Sequence, residues 1–181
     1  MTFRCFGSGD PLMEAYHDEE WGLPVHDEAA LFERIALEGF QSGLSWAIVL
    51  RKRPAFRKAF AGFDPAAVAG FGDDDVERLL ADVGIVRNRL KIEATIANAR
   101  ALVALHEAGR TLDEVVWGHL PTARPRPASW ADVPSTSPES VAMAKELKKL
   151  GLRFVGPTTA YAAMQACGLV DDHLAGCLAV A

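Results

Sequence analysis

Leu79-Leu80-Ala81-Asp82-Val83-Gly84-Ile85-Val86-Arg87-Asn88-Arg89 joins two apolar-periodic segments through a very tight hydrophobic turn around Gly84. Upstream, the spacing predicts a helix over 73–83; downstream, it predicts a long one over 87–108 with Gly109 as its stop. Such a hairpin can aim backbone N–H groups and a helix N-terminus at a phosphate, with Arg87 and Arg89 adding charge. Taken as a bare pattern, any helix–helix turn looks the same.

Further out the reading stays helical. Asp64-Pro65 opens a short helix, with the proline where its missing N–H costs nothing. Residues 44–50 are apolar on all sides, which predicts a central helix reaching the basic cluster at Arg51. Asp27 is the expected N-cap of a helix carrying Leu31, Phe32, Ile35 and Ala36 on one stripe and closed by Gly39. Toward the C-terminus, 111–120, 138–149 behind the Ser137-Pro138 cap, 156–166 and 171–180 are also expected to be helical. Five prolines fall in 121–138, the one long connection, and a loop of that length is often functional. With no alternating strand and no repeat, the fold class is all-α.

Half of the 181 residues are hydrophobic and 24% are charged, which excludes a disordered chain and suits a single unit with a substantial core. Within that unit, roughly 1–50 and 155–181 would form a terminal part and 51–154 the helical part with the hairpin. No apolar run approaches the roughly 18 residues of a membrane span, and the start lacks the features of a signal peptide. A cytoplasmic monomer without membrane contact is the expectation. The net charge of −5 gives no overall reason for a nucleic-acid partner. Its distribution does: residues 1–50 hold two basic and nine acidic side chains, whereas later positives cluster as Arg51, Lys52, Arg53, Arg57 and Lys58, as Arg87, Arg89 and Lys91, and as Lys145, Lys148, Lys149 and Arg153. Three basic patches on an acidic chain suit a local anionic partner, or simply three wet helix faces.

Two constellations carry chemistry. His173 and Cys177 are four apart, so a helix there would point both from one face, and Cys5 and His17 complete a Cys₂His₂ set with no open position. An ion held by these four would clasp the two ends of the chain, although the separation is far outside ordinary finger spacing. The second group is Tyr16, Trp21, Glu38 and Trp46. Glu38 lies seven residues after Leu31 and three after Ile35, beside the inward stripe of its helix. A carboxyl there must be paired, hydrogen-bonded or protonated, since an unsatisfied buried polar group costs about 1–3 kcal/mol. It is either half of a buried ion pair with a nearby arginine or, among aromatic faces that could equally be core, a holder for a flat cationic ligand, with cation–π attraction of roughly 0.5–2 kcal/mol.

Read together, ordered blocks over almost the whole chain resemble the DNA-3-methyladenine glycosylase I family, a zinc-containing branch of the helix-hairpin-helix glycosylases. They are Arg4-Cys5, Asp10-Pro11-Leu12, Tyr16-His17-Asp18-Glu19-Glu20-Trp21-Gly22, Leu37-Glu38-Gly39-Phe40-Gln41-Ser42-Gly43-Leu44-Ser45-Trp46, Val49-Leu50-Arg51-Lys52-Arg53, Gly84-Ile85-Val86-Arg87-Asn88-Arg89-Leu90-Lys91-Ile92, Phe154-Val155-Gly156-Pro157-Thr158-Thr159 and Met164-Gln165-Ala166-Cys167-Gly168-Leu169-Val170-Asp171-Asp172-His173. The resemblance implies excision of 3-methyladenine from alkylated double-stranded DNA and one structural Zn²⁺ on Cys5, His17, His173 and Cys177. It also implies a base pocket of Tyr16, Trp21, Trp46 and the catalytic Glu38. The turn Gln41-Ser42-Gly43-Leu44 would enter the gap in the duplex, and Gly84, Ile85 and Arg87 would meet the phosphate backbone. Two departures stand out: from Lys91 to Arg110 there are Glu93 and Glu107 but no aspartate, and Val86 replaces a second hairpin glycine. With no lysine among the pocket residues, the implied enzyme is monofunctional.

Overall fold

Helices begin where short polar side chains can satisfy their first N–H groups. Asp10, Asp27, Asp64, Asn88, Thr111 and Ser137 each accept from a backbone N–H two or three residues on. In the computed structural model, which describes residues 3–179, the helices among those residues are α1 (Pro11–Glu19), α2 (Glu28–Gln41), α3 (Trp46–Ala59), α4 (Pro65–Ala69), α5 (Asp73–Ala81), α6 (Arg89–Glu107), α7 (Leu112–Trp117), α8 (Pro138–Lys149) and α9 (Pro157–Ala166). The fold is all-α.

The central element is α2. Leu31, Phe32, Ile35, Ala36, Leu37 and Phe40 are buried along it, and it packs on α3, α6, α7 and α9. Phe56, Phe60 and Phe63 continue that core, with ring centroids 4.7 Å apart for Phe40–Phe56 and 5.5 Å for Phe60–Phe63. Aromatic burial of this kind is the main source of stability in a domain of this size.

Several expectations are corrected. Gly39 does not end α2, which runs on to Gln41; a Cβ on Gly39 would lie 3.6 Å from Phe154, so this glycine serves close packing. The 44–50 helix starts only at Trp46 and continues through Pro54 to Ala59. It is amphipathic, with Val49 and Leu50 buried and Ile48 exposed. α1 was not announced by periodicity, because only Tyr16 and His17 are buried along it.

The largest correction is at 171–180. Residues 171–179 are not helical; Val180 lies outside the described residues. Gly176 takes a positive φ of 83°, and several of the segment's polar backbone groups find their partners elsewhere. Ala175 N donates to Pro127 O at 2.8 Å, Leu178 N to Phe3 O at 2.9 Å, and the Arg126 guanidinium to Ala179 O at 2.9 Å. The tail is thus an extended strap sewn to the N-terminus by a parallel bridge between Phe3 and Cys177. The 121–138 connection supplies its other side, with Arg124 paired to Asp172 and Arg126 to Asp171.

The strap leaves α9 through Gly168, whose φ is 78°. A Cβ there would fall 2.4 Å from Leu23 C and 2.6 Å from Pro24 N, both backbone atoms that cannot yield cheaply. Gly168→Ala is expected to destabilise the protein by about 2 kcal/mol or more; an unchanged urea midpoint would contradict this packing.

Candidate functional site

α1 and α2 aim Tyr16 and Glu38 at one another's surroundings, and the start of α3 adds Trp46. Together with Trp21 they line one cavity of about 400 Å³, whose wall also includes Phe6, Met13, Gln41, Trp130, Ala162 and Gln165. The structure therefore brings together all four residues of the aromatic–carboxyl group. Tyr16 and Trp46 lie with ring centroids 5.3 Å apart, and Phe6 meets Trp21 edge to face at 5.1 Å. Sequence reasoning passed over Phe6, Trp130 and Gln165. A lone tryptophan in a proline-rich connection was the available signal for Trp130.

Glu38 is buried, 7% exposed, and has no ion-pair partner within reach among the described residues. The arginine one turn before it, Arg34, lies instead 3.7 Å from Glu20. Glu20 in turn holds Arg53 through two contacts of 2.6 Å. Of the two readings of Glu38, the buried ion pair is the one this geometry removes. Burial pushes the Glu38 carboxyl up to about 8, with Arg34 drawing it down only in part. Burial and the neighbouring Glu38 raise the Tyr16 hydroxyl as well, so it keeps its proton as a donor. Trp46 Nε1 is buried without an acceptor. An aromatic slot with an unpaired carboxyl and spare donors suits a flat ligand that brings its own positive charge.

Behind this wall sits the cysteine–histidine group. His17 Nε2 is 3.2 Å from Cys5 Sγ and 3.3 Å from Cys177 Sγ, and the three ligand atoms are close enough to hold one metal ion. Cys177 arrives by the Phe3 bridge and not by a helical register with His173. Each histidine is oriented through Nδ1, His17 by Asp18 at 2.7 Å and His173 by Asp171 at 2.8 Å. His173 Nε2 is buried with no partner, and its ring stands 4.9 Å from that of His17. The cysteine–histidine group and the cavity share their partition: Trp21 packs on His173 at 4.7 Å and Phe6 on His17 at 4.6 Å.

At the cavity mouth α2 ends in the turn Gln41-Ser42-Gly43-Leu44. Gly43 has a φ of 85°, and Gln41 Nε2 donates to Leu44 O at 2.8 Å. Lys91 of α6 reaches over and donates to Phe40 O at 2.9 Å and Ser42 O at 2.7 Å. α5 and α6 form the expected hairpin. Gly84 approaches α3 so closely that a Cβ would lie 2.8 Å from that of Ala55. The Gly84 N–H is already taken by Asp82 Oδ1 at 2.7 Å, and the Ile85 N–H donates to Asp82 O at 3.3 Å. The N–H groups of Val86 and Arg87 donate to no acceptor among the described residues, and Arg87 is exposed.

The first two basic patches are mostly committed internally, whereas the side chains of Lys145, Lys148, Lys149 and Arg153 make no ion pair among the described residues. Arg51 pairs with Asp10, Arg53 with Glu20, Arg57 with Glu33, and Arg89 with Glu77 and Glu93. Lys52 donates to the Val83 and Gly84 carbonyls of the hairpin turn. Another cavity, of about 570 Å³, is lined by the 121–138 connection, Tyr161 and residues 168–171. Among the described residues no helix is long and apolar enough to cross a membrane.

The methyladenine glycosylase family model matches residues 6–180. DNA-3-methyladenine glycosylase 1 of Escherichia coli (strain K12) is 48% identical over 178 residues, covering 96% of this chain and 95% of the relative. A crystal structure of a 3-methyladenine DNA glycosylase I is similar with a TM-score of 0.94 at 49% identity, covering 97% of this chain and 98% of the other. A variant of 3-methyladenine DNA glycosylase I crystallised with 3-methyladenine matches with a TM-score of 0.91 at 32% identity, covering 98% and 97%.

The raised Glu38 carboxyl gives a signed pH dependence. Its folded value, about 8, exceeds the ordinary 4.5, so the folded chain retains a proton that the unfolded chain releases. The contribution to stability is full below about pH 4.5 and is lost as pH rises through about 8. Relative to Glu38→Gln, the wild type should lose on the order of a few kcal/mol between pH 5 and 9. Parallel denaturation curves across that range would contradict the assignment.

Proposed function

The chain belongs to the methyladenine glycosylase family, and on that premise we propose that it is a monofunctional hydrolase that excises 3-methyladenine from alkylated double-stranded DNA. The observation that carries this reading is the Glu38 carboxyl, buried among aromatic rings with no ion-pair partner among the described residues. Alkylation at N3 gives the base a positive charge and weakens its bond to deoxyribose. The base leaves with the bonding electrons and becomes neutral, while water adds its oxygen to the sugar carbon and gives up a proton. Strong acid catalysis is unnecessary; the work is to extract the nucleotide, at a cost of a few kcal/mol, and to recognise it.

Glu38 supplies the recognition. In the empty cavity it holds a proton at neutral pH; a cation beside it favours the ionised form and draws that proton off. Neutral adenine brings no such charge, so the difference between lesion and normal base is the energy of filling a prepared anionic position. Tyr16 donates to the base, and Trp46 and Trp21 enclose its faces. The turn of Gln41, Ser42, Gly43 and Leu44 occupies the gap in the duplex. The backbone amides of Val86 and Arg87, with the Arg87 side chain, receive a phosphate at the hairpin of Gly84 and Ile85. The cavity lining contains no lysine among the described residues, in keeping with hydrolysis without a covalent amine intermediate.

The second part of the reading is one structural zinc ion on Cys5, His17, Cys177 and His173. The donor set fits: two thiols, and two Nε2 atoms whose opposite ring nitrogens are fixed by carboxylates. His173 would be the fourth ligand: its Nε2 is buried without a partner and its ring stands 4.9 Å from that of His17, beside the three ligand atoms that are close enough to share one ion. Burial pushes the Cys5 thiol up to about 11, so a thiolate there requires a cation. Such an ion would tie the chain ends together and support the aromatic partition; four closed ligands leave no position for reactive water.

Incubation with methylated duplex DNA should release free 3-methyladenine, and Glu38→Gln should lower the rate at least about 10-fold, the scale of one lost charged contact of roughly 1.5–3 kcal/mol. Binding to the duplex with no base released would leave only a DNA-binding module. Metal analysis should return one zinc per chain, and its removal by a chelator should lower the melting temperature; a zinc-free preparation of undiminished stability would end the second part.

A further inference from the structure

Gln165 lines the aromatic cavity from α9, and its amide cannot choose its own orientation. Nε2 donates to Asp172 Oδ2 at 2.9 Å. Asp172 is fully buried, is paired with Arg124, and receives the Tyr161 hydroxyl at 2.7 Å. A carboxylate paired with a guanidinium accepts and does not donate, so turning the amide over would set two acceptors against each other inside the protein. The nitrogen is therefore committed to Asp172, which does not line the cavity, and the polar atom left for the cavity is Oε1. That oxygen receives no donor among the described residues.

We propose that Gln165 reads an exocyclic amino group on the edge of the flipped base, with Asp172, Tyr161 and Arg124 as positioning residues that fix the acceptor end of its amide toward the cavity. This rests on the base-pocket reading above and adds edge recognition to it. Glu38, on α2, answers to charge; Gln165, on α9, answers to the hydrogen-bond pattern. An alkylated purine with an amino group satisfies Oε1, whereas one with a keto oxygen there opposes two acceptors and is rejected.

Binding of free bases to the intact protein, followed by quenching of tryptophan fluorescence, separates the two readings. 3-Methyladenine and 3-methylpurine differ only in the amino group. The wild type should prefer 3-methyladenine by 10-fold or more. Gln165→Met, close in size but without an acceptor, should reduce that preference to 2-fold or less. Gln165→Ala provides the same comparison should the methionine variant fold poorly. A preference unchanged in the variants overturns the role of Gln165 while leaving the pocket intact. Failure of the wild type to bind either base, or binding that does not quench the cavity tryptophans, overturns the pocket reading and this one together.

Discussion

A carboxyl held inside a wall of aromatic rings, with no ion-pair partner among the described residues, is the constraint around which this molecule is arranged. Sequence alone allows the opposite outcome equally. Arg34 precedes Glu38 by four residues on α2, the spacing at which opposite charges ordinarily meet on one helix face. The fold diverts Arg34 to Glu20 and anchors Glu20 with two hydrogen bonds from Arg53. A buried group left in this state costs free energy that the phenylalanine core of α2 and α3 must offset. The cost is recovered when a ligand brings the missing charge, which makes an empty site of this kind discriminating instead of merely receptive.

The cavity and the cysteine–histidine group are mechanically one object. Phe6 and Trp21 form the partition, and each touches a histidine of the group on its other face. His17 belongs to α1, directly after the cavity residue Tyr16, while Cys177 belongs to the strap that closes the chain on Phe3. A shift of the strap would therefore move the rings that face a ligand. The same strap carries Asp172, which holds Gln165 on the cavity's opposite wall. Two sides of the cavity are thus referred to one extended segment, itself held by Arg124 and Arg126 from the proline-rich connection.

Legibility in the sequence followed the physics of each element. Helices with a polar cap and an apolar stripe could be read directly, and the inward place of Glu38 followed from its spacing to Leu31 and Ile35. The hairpin could be read because Gly84 interrupts two apolar-periodic segments, although the turn by itself looks like any other helix–helix turn. α1 could not: it buries only Tyr16 and His17, too little for periodicity to register. The strap escapes a sequence reading because the ten residues 171–180, rich in apolar side chains and starting with two aspartates, look like a capped helix. Only the placement of Arg124, Arg126 and Pro127 shows that its backbone partners lie elsewhere. Trp130 and Gln165 escaped for the same reason, since their roles depend on where a long connection and a distant helix come to rest.

Charge counting on the sequence likewise overstated the surface available to a polyanion. Most of the clustered arginines are consumed by carboxylates, and the two lysines nearest the hairpin are consumed by carbonyls. Those carbonyl contacts have a consequence for the proposed complex. Lys52 ties the hairpin turn to α3, and Lys91 ties α6 to the end of α2 and the turn that follows it. The element proposed to grip phosphate and the element proposed to fill the duplex gap are therefore pinned to one framework. Because Lys91 spans them directly, the distance between backbone contact and gap is set before any DNA arrives. A rigid spacing of this kind presents the cavity at a fixed offset from the gripped strand, so the nucleotide that enters is selected by position first and by charge second.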